Sequence, residues 1–561
     1  MAENKKQTRE EIIKADVKEL HKLGYAQQLF REMGGFSNFA ISFSIISILT
    51  GAMLLYGYGL KFAGPVINTV GWPVVSLFTL CIAASMAEIA STYPTAGGLY
   101  YWASRLGGAR WGWVTAWMNM IGQITITAGI DIAAAIYFSG LLTRAAGLDP
   151  ATPFPIFGTI SSWSFYIFVM VILMIPQVLI NAFGIRLTSI LNDFSVYWHI
   201  GGVIVMALLL TIFGKYHNSL SFLLTYVNSV NPLDASSAVF PDGTTGPALV
   251  IGTWVLHSPL FAMLPSLTSL YRVAPFILVF PLAFLQAQWT YTGYDASAHV
   301  AEETVLARLN SAWGVFLSVA VSAIVGYIVL MALTIAIPDI AGTIADPYPV
   351  LYIAYTGLSA FFANIVAIIV FGGMWLCGLS SITSMSRMWF AFARDDGMPF
   401  SSVFRDIHPK WRTPVKSIVI TTILAVIVCM YSAAYFVVTS ISTITLYIAY
   451  NAPVYLNVRN KLRKQGEFTT PQTSPWSLKK WGPILNIVAV VYTIFIIIVF
   501  CLPPNELVLW TMVALAVLLF LYWQFGAKKW FTGPKKATEE QLREIERLMD
   551  EAAHGKAQGE D

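Results

Sequence analysis

The stretch WTYTGYDASAHVAEET, residues 289–304, follows directly on the apolar run VAPFILVFPLAFLQAQ, residues 273–288. The apolar run is typical of a membrane helix, yet glycine, hydroxyl groups and acids stand where that helix should continue. An unpaired backbone group in lipid costs several kcal/mol, so non-helical backbone at membrane depth occurs only where it lines a cavity or is covered by protein. We therefore interpret residues 292–295, Thr-Gly-Tyr-Asp, as a break inside a membrane helix.

The composition of the chain is that of an integral membrane protein. Of its 561 residues, 57% are hydrophobic and only 11% are charged, whereas a soluble protein carries about 25% charged residues. The net charge of +4 is small, and no basic stripe suggests a nucleic-acid partner. The four cysteines lie in apolar runs without metal-ligand spacing, so we expect neither a metal nor a cofactor. The apolar segments contain no nucleophile–base pair or phosphate-binding loop, which argues against an enzyme.

Apolar segments long enough to cross a bilayer, about 20 residues each, recur twelve times along the chain. We place these spans at residues 36–61, 67–91, 111–142, 163–183, 191–213, 273–300, 313–337, 359–388, 415–433, 435–457, 483–502 and 506–525. Residues 246–271 are apolar enough for a thirteenth span, but Pro259 and Pro265 interrupt them. We interpret residues 215–272 as an extracellular, partly re-entrant or interfacial insert. The predicted fold class is all-α, with twelve transmembrane helices in one domain, residues 36–525.

Lysine and arginine are distributed unequally between the two sides of this arrangement. With the N-terminus inside, sixteen of them fall in cytoplasmic loops and four fall outside. Because cytoplasmic loops carry the excess of Lys and Arg in membrane proteins, we expect residues 1–35 and 526–561 to be cytoplasmic. A thirteenth span would reverse the orientation of all later spans and place the basic loops 387–416 and 459–480 outside. The expected location is the plasma or inner membrane.

A second break occurs in the first span, where residues 47–52 read Ser-Ile-Leu-Thr-Gly-Ala. One glycine in a membrane helix is weak evidence, but the two breaks occupy the first position in successive sets of five helices. Transporters built from inverted repeats bind substrate at such paired breaks. The freed N–H groups of a half-helix attract anions, and its freed carbonyl groups attract cations.

Three long motifs carry a family resemblance: AEIASTYPTAGGLYYWAS at 87–104, GYDASAHVAEET at 293–304 and SRMWFAFARDDGMPF at 386–400. The chain resembles the amino acid–polyamine–organocation superfamily, and within it the amino acid/choline (4-aminobutyrate permease-like) transporters, from about residue 20 to 530. The resemblance implies a five-plus-five inverted-repeat core of the LeuT type, followed by two further helices. It also implies secondary transport by alternating access, with substrate held between spans 1, 3, 6, 8 and 10.

The resemblance implies that the span-1 break binds a substrate carboxylate through the backbone N–H groups of Thr50, Gly51 and Ala52. The hydroxyl groups of Ser47 and Thr50 would assist. No Arg or Lys lies in the middle of spans 1, 3, 6, 8 or 10. A backbone anion site is therefore the natural way for this chain to bind an amino acid.

The span-6 break is expected to bind the substrate amine. Backbone carbonyls near Gln288, Trp289 and Thr292 would accept from an ammonium group. Aromatic faces would attract a desolvated cation by about 2 kcal/mol. The span-6 candidates for substrate binding are Trp289, Tyr291, Thr292, Gly293, Tyr294 and Asp295.

Asp295 is the acid of the break, and an ionisable residue at membrane depth is a functional-site hypothesis by default. One interpretation is direct or water-mediated contact with the substrate amine. The other is a cap on the second half-helix, in which the carboxylate accepts from the N–H of Ser297 or Ala298. Both roles are compatible.

The coupling ion has two candidate sites. His199 on span 5 matches by position a lysine of proton-coupled relatives, and a histidine titrates near neutrality. The alternative for His199 is a neutral imidazole bonded to a carbonyl group. Sodium would instead use span-1 carbonyls with the span-8 hydroxyls of Ser380 and Ser381. The histidine favours protons over sodium, and exchange without any ion stays open.

Acidic motifs near the cytoplasmic ends of spans 2 and 6 predict an inner gate. Glu88 stands on span 2, and His299 and Glu302 follow the span-6 break. We expect these residues to form gate or loop contacts, including ion pairs with nearby arginines.

The substrate expectation follows from the two half-sites. A backbone carboxylate site together with one acid favours a zwitterion, and 4-aminobutyrate, whose charges are far apart, would use Asp295 better than an α-amino acid. Choline or a polyamine is the alternative, because the aromatic residues of span 6 could contribute to a cation cage. A nutrient receptor is disfavoured because the tails are short. The expected partners are the substrate, H+ or Na+, and the lipid bilayer.

Overall fold

Twelve apolar helical segments build the fold in the computed structural model, which describes residues 8–145, 162–229, 237–240, 244–251, 254–273, 275–430 and 435–557. Ten helices are long and apolar enough to cross a membrane, and two shorter ones, Phe276–Thr290 and Val415–Cys429, complete the set among these residues. The predicted twelve-helix membrane fold is confirmed.

The spans are numbered 1 to 12 in chain order. Span 1 is Gly35–Ile46 and Ile48–Leu54, prolonged by Tyr56–Ala63; span 2 is Ile67–Gly71 and Trp72–Ala90; spans 3 to 5 are Ala109–Ala145, Ser162–Phe183 and Ile185–Ile212. Span 6 is Pro275–Val279, Phe280–Phe284 and Leu285–Thr290, with Ala296–His299 and Ala301–Glu303 after its break. Spans 7 to 12 are Ala307–Ile335, Ala360–Arg394, Val415–Cys429, Tyr435–Arg463, Gly482–Phe500 and Glu506–Phe525.

Shorter helices connect the spans or flank them. They are Arg9–Lys22, Gly98–Gly107, Leu220–Leu223, Pro259–Met263, Ser266–Val273, Ile340–Ala345, Pro349–Gly357, Ser401–Phe404, Lys479–Trp481, Ala527–Lys529 and Glu539–Ala557. The predicted boundaries differ most at span 6, whose helix ends ten residues early. Spans 5, 7, 8 and 10 each extend six residues beyond the prediction at one end. The predicted last residues of span 9, 431–433, lie outside the described residues.

The centre of the bundle is set by which helices are hidden from lipid. In spans 1, 3 and 10 the most apolar stretch is 94%, 89% and 89% buried, whereas in spans 4 and 12 it is 22% and 28% buried. The exposed spans 4 and 12 are also the more apolar, with mean hydropathy 2.2 and 2.0 against 1.6, 1.6 and 1.2 for spans 1, 3 and 10, as expected of helices that contact lipid. Spans 1, 3 and 10 therefore surround the axis, and the other two face lipid.

The insert before span 6 contains strands that the sequence analysis did not anticipate. Strand β1, Ser237–Val239, pairs antiparallel with β2, Thr245–Ile251, which pairs antiparallel with β3, Trp254–His257. Residues 246–251 are thus extended, and no thirteenth spanning helix is found among the described residues. Part of the expected extracellular insert is therefore a small antiparallel sheet, whose strands satisfy each other's backbone groups.

Both tails lie at one end of the bundle, which we call the terminal end. The N–H of Ala537 donates to the carbonyl of Gly24 at 2.8 Å. His21 and Glu546 approach each other within 3.4 Å. The described parts of the tails are therefore docked on each other.

Candidate functional site

Span 1 breaks at Ser47, whose backbone φ of 27° interrupts two helical halves. The carbonyl of Ser47 accepts from the N–H of Thr50 at 2.8 Å and of Gly51 at 3.1 Å. The first donors of a new helix have no partner within it, and in the helix Ile48–Leu54 the first of these donors are the N–H groups of Ile48 and Leu49.

This geometry corrects the expected donor set. Thr50 and Gly51 donate to Ser47, and Ala52 lies inside the helix Ile48–Leu54. The first donors of the second half-helix lie one to four residues earlier than expected, because the helix restarts immediately after Ser47 and not at the glycine.

Span 6 breaks after Thr290, and glycine permits the turn that follows. Gly293 has a φ of 88°, and a Cβ at this position would lie 2.1 Å from the Ile45 side chain. Two tyrosines of span 10 bind the open backbone. Tyr447 donates to the carbonyl of Tyr291 at 2.7 Å, and the N–H of Gly293 donates to the Tyr450 hydroxyl at 2.9 Å. The break is thus covered by protein, as a polar backbone in lipid requires.

The two breaks meet at one small cavity of about 10 Å³, enough for about one water molecule. Its lining residues come from spans 1, 3 and 6: Ile45, Ile46, Thr50, Gly51, Ile126, Ile130, Trp289, Thr290 and Thr292. Gly51 allows the contact, because a Cβ there would lie 2.6 Å from the Cα of Thr290. In this conformation the cavity has no room for a molecule larger than water, so the spans must separate before a substrate can enter it.

The structure brings together four of the ten predicted substrate residues at this cavity: Thr50, Gly51, Trp289 and Thr292. Trp289 is held by its indole N–H, which donates to the Ser442 hydroxyl at 3.0 Å. The other five lining residues, Ile45, Ile46, Ile126, Ile130 and Thr290, were missed. Apolar residues on an apolar span carry no signal of facing a cavity, so the sequence could not have distinguished the four isoleucines.

The remaining predicted residues lie around the cavity without lining it. Tyr291 points to span 2, where its hydroxyl lies 2.6 Å from that of Ser76. The Tyr294 ring packs against Tyr450, with 4.7 Å between centroids. Ala52 and Gly293 contribute backbone within the two breaks, and Ser47 lies beside Thr50, with 2.6 Å between their hydroxyl oxygens.

Asp295 is completely buried and is held by four donors. Its Oδ1 accepts from Tyr450 at 2.9 Å. Its Oδ2 accepts from His299 at 3.0 Å, Gln123 at 3.2 Å and Asn119 at 3.3 Å. Asp295 therefore links span 6 to spans 3 and 10. The three partners outside span 6 were missed because they are distant in sequence.

The capping interpretation of Asp295 is wrong. Its side chain makes no cap hydrogen bond. The N–H of Ser297 donates to the Ser42 hydroxyl at 2.8 Å, and that of Ala298 donates to the backbone carbonyl of Asp295 at 2.9 Å. The carboxylate is drawn instead toward the donors of neighbouring spans.

His199 is buried and contacts the span-1 break. Its Nδ1 lies 2.8 Å from the carbonyl oxygen of Ser195 and its Nε2 lies 2.8 Å from the Ser47 hydroxyl. The carbonyl can only accept, so Nδ1 carries a proton, and the Ser47 hydroxyl can either donate to Nε2 or accept from it. The contact joins span 5 to the break.

The span-8 hydroxyls bind other partners. Ser380 donates to the carbonyl of Leu376 at 3.0 Å and to the side chain of Asn192. The Ser381 and Thr127 hydroxyls are 2.7 Å apart. Among the hydrogen bonds of the described chain, none joins Ser380 or Ser381 to span 1.

The three motifs of the family resemblance meet at the terminal end of the bundle. Glu302 accepts from Arg394 at 2.8 and 2.9 Å and from the N–H of Ala96 at 3.0 Å. His299 Nδ1 lies 3.1 Å from the Ala96 carbonyl. Glu88 pairs separately with Lys461 at 2.5 Å. We call these contacts the candidate gate, after the role expected for Glu88, His299 and Glu302.

A second layer covers this gate. Asp395 accepts from the hydroxyls of Tyr25 at 2.6 Å and Tyr100 at 2.9 Å, and from the N–H of Lys535 at 3.0 Å. Burial raises the pKa of Asp395 to about 6, although Arg394 and the hydroxyl donors oppose the shift. Both tails thus converge on one carboxylate.

The opposite end of the bundle holds a larger cavity, of about 500 Å³. Its lining includes Tyr58, Lys61, Tyr137, Tyr166 and Asp346. Tyr137 donates to the carbonyl of Met53, in the second half of span 1, at 2.8 Å. We call this cavity, which lies beside the second half of span 1, the vestibule.

Comparison with known proteins places these features in a family context. A family model described as amino acid permease matches residues 33–523. Amino-acid permease BAT1 of Arabidopsis thaliana is 33% identical over 553 residues, covering 92% of this chain and 95% of that protein. Its homolog in Oryza sativa subsp. japonica is 32% identical over 541 residues, covering 92% and 94%. A putative polyamine transporter of Candida albicans is 23% identical over 565 residues, covering 96% and 93%.

Proposed function

Because the chain belongs to the amino acid permease family of the amino acid–polyamine–organocation superfamily, we propose that it transports a small zwitterionic amino acid by alternating access, with 4-aminobutyrate the preferred candidate. Membership of the family makes the protein a multi-pass membrane transporter of amino acids or amines rather than an enzyme. The substrate and the coupling ion are the finer parts of the proposal.

The observation that carries the proposal is the meeting of two helix breaks at one cavity. On the span-1 side, the first N–H groups of the helix Ile48–Leu54 and the positive end of its dipole would attract a carboxylate. On the span-6 side, the carbonyls of Gln288 and Thr290 have no acceptor role in the hydrogen bonds of the described residues. A carboxylate and an amine therefore each find a complementary backbone group.

Asp295 distinguishes ligands by length in this proposal. It follows the cavity-lining residue Thr292 by three positions, toward the gate. The amine of 4-aminobutyrate, separated from its carboxylate by three carbons, would approach this carboxylate through a shift of Asn119 or Gln123, which occupy Oδ2 at 3.3 and 3.2 Å. An α-amino acid would leave these hydrogen bonds intact and use the carbonyl groups alone.

An organic cation is the second candidate, since one relative is named a putative polyamine transporter. A choline cage needs several aromatic faces around one cavity. Of the three span-6 aromatics, only Trp289 lines the cavity. Tyr291 and Tyr294 pack elsewhere, so the present geometry favours the zwitterion.

The proposed orientation places both tails in the cytoplasm of a plasma or inner membrane, because sixteen loop lysines and arginines fall on that side against four on the other. The candidate gate is then cytoplasmic and the 500 Å³ vestibule extracellular. A vestibule open to the outside suits a symporter that imports its substrate.

The proposal is tested by thermal stability of the purified protein against proteinogenic amino acids, 4-aminobutyrate, putrescine and choline, each in sodium and in potassium. A ligand at 100 times its dissociation constant stabilises by about 2.7 kcal/mol. We expect 4-aminobutyrate or another amino acid to raise the melting temperature equally in both salts. Stabilisation only by choline or putrescine contradicts the carboxylate site, and a sodium-dependent shift contradicts proton coupling.

His199 is proposed as a proton carrier because an imidazole can bind and release a proton and this one contacts Ser47 at the break. We expect His199→Ala to abolish accumulation driven by a pH gradient in proteoliposomes and to leave substrate exchange within about twofold of wild type. His217→Ala, a change in an exposed histidine beyond span 5, serves as the control and should behave as wild type. Accumulation that persists in His199→Ala removes this histidine from the coupling mechanism.

A further inference from the structure

Span 3 carries a buried carboxyl group that the substrate site does not use. Asp131 has no exposed surface. Its Oδ1 accepts from the side-chain amide of Gln177 on span 4 at 2.9 Å, and its Oδ2 has no hydrogen-bond partner. The same amide of Gln177 donates to the carbonyl of Trp375 on span 8 at 3.0 Å, while the Gln177 Oε1 has no partner. Two oxygens thus remain open in one buried pocket.

The surroundings of Asp131 contain no compensating positive charge. Span 8 approaches through Gly378, where a Cβ would lie 2.2 Å from Oδ1. The ionisable groups that face the carboxyl are two thiols, Cys377 of span 8 and Cys429 of span 9. Span 4 presents Gln177, which is neutral, and no ion pair within the described ranges involves Asp131. An unpaired carboxylate at membrane depth is costly, so this group binds a proton or a cation.

A proton fits the pocket better than a metal cation. Hard cations surround themselves with six or more oxygen ligands, whereas this pocket offers two open side-chain oxygens and directs an amide NH₂ group at the third. Protonation of Oδ2 removes the unpaired charge and needs no further oxygen ligand. The Gln177 amide donates to Oδ1 in either state, and this donation is stronger to the ionised acid.

The carboxyl is also connected to the substrate cavity. Ile130, the preceding residue, lines the cavity. Cys377, which faces Asp131, donates to the carbonyl of Ile45 in span 1 at 3.2 Å. A movement of span 8 against span 3 would change the access of water to Asp131 and the shape of the cavity together.

We propose that Asp131 is a second proton-binding site of the transport cycle, a proposal that rests on the proposed function of proton-coupled amino acid transport. The proton binds Oδ2 from water on the side of higher proton concentration and leaves to water after the helices rearrange. Occupation of Asp131 by a proton accompanies substrate translocation. The first proposed proton site, His199, packs against Gly373 of span 8, where an added Cβ would lie 3.3 Å from the His199 Nε2.

The test is Asp131→Asn, a neutral side chain of nearly the same shape, in proteoliposomes with 4-aminobutyrate or whichever amino acid stabilises the wild-type protein. We expect accumulation driven by a pH gradient to fall at least tenfold and exchange to stay within about twofold of wild type. Substrate-induced proton uptake, followed with a pH-sensitive dye inside the vesicles, should disappear. Asp193→Asn, a change in the partly exposed span-5 acid bonded by Ser37, is the matched control and should keep both signals.

A second variant keeps the proposal testable if Asp131→Asn does not fold. Gln177→Leu removes the donor that stabilises the ionised acid, and it should move the pH of half-maximal accumulation upward. An unchanged pH profile in Gln177→Leu, or full gradient-driven accumulation in Asp131→Asn, overturns the proposal. Loss of a sodium-dependent stabilisation in Asp131→Asn would also overturn it, because the site would then bind sodium. If wild-type uptake is independent of the pH gradient, the proposed proton coupling is wrong. This outcome is distinguishable from a failure of the Asp131 proposal alone, because it appears in the wild-type protein.

Discussion

A Glu302→Gln variant is expected to lose about 3–5 kcal/mol of stability, because breaking one side of a buried ion pair leaves the other charge unpaired. Glu302 is unexposed and the Arg394 side chain is 10% exposed, so water cannot compensate. Chemical or thermal unfolding in detergent measures the loss. The same change should open the gate, so a cysteine placed at Ala96 should react faster with a thiol reagent applied from the terminal side.

An exposed pair at the same end provides the control for Glu302. Arg105 and Glu467 lie 2.7 Å apart with side chains 37% and 41% exposed, and exposed pairs contribute about 0–1 kcal/mol. Glu467→Gln should therefore change stability by less than about 1 kcal/mol. The double variant Glu302→Gln with Arg394→Met should recover part of the loss, since it leaves no unpaired charge. Equal effects of Glu302→Gln and Glu467→Gln would contradict the gate assignment.

Asp295→Asn is expected to reduce the affinity for 4-aminobutyrate at least tenfold, if Asp295 receives the substrate amine. Stability should also fall, by about 1–3 kcal/mol, because the new NH₂ group faces partners that are themselves donors. Binding is measured by thermal shift or isothermal titration, and unfolding by denaturant. The expected loss of stability distinguishes this result from a purely binding role of Asp295, in which Asp295→Asn would lower the affinity and leave the stability unchanged.

Two comparisons isolate the role of Asp295 in binding. Tyr450→Phe removes a donor to Oδ1 and leaves the charge in place, so it should lower stability more than affinity. An α-amino acid, which is too short to use the carboxylate, should lose less affinity than 4-aminobutyrate in Asp295→Asn. Unchanged 4-aminobutyrate affinity in that variant would show that Asp295 only links spans 3, 6 and 10.

Much of the fold was predictable because lipid imposes a strong constraint on sequence. A helix that crosses the bilayer needs about 20 apolar residues, which made the spans visible, and glycine beside hydroxyl groups marked both breaks. The insert was less predictable. Residues 246–251 are apolar like a span but form a strand, since short apolar runs do not distinguish strand from helix.

The candidate site was predictable only in part. Thr50, Gly51, Trp289 and Thr292 line the cavity because they belong to the breaks themselves. Ile126 and Ile130 could not be separated from other apolar residues of span 3. The exact donors moved from Thr50 and Gly51 to Ile48 and Leu49, because a shift of the helix start by a few residues changes which N–H groups are free.

The sequence by itself determined the membrane class, the twelve helices and the two broken spans, because these depend on local composition and on the cost of bare backbone in lipid. The tertiary structure alone decided which polar groups meet. Asp295 with Tyr450, Glu302 with Arg394 and Asp131 with Gln177 join residues that are 155, 92 and 46 positions apart. Hydrogen bonds and ion pairs act over a few ångströms, so such contacts depend on how the helices pack.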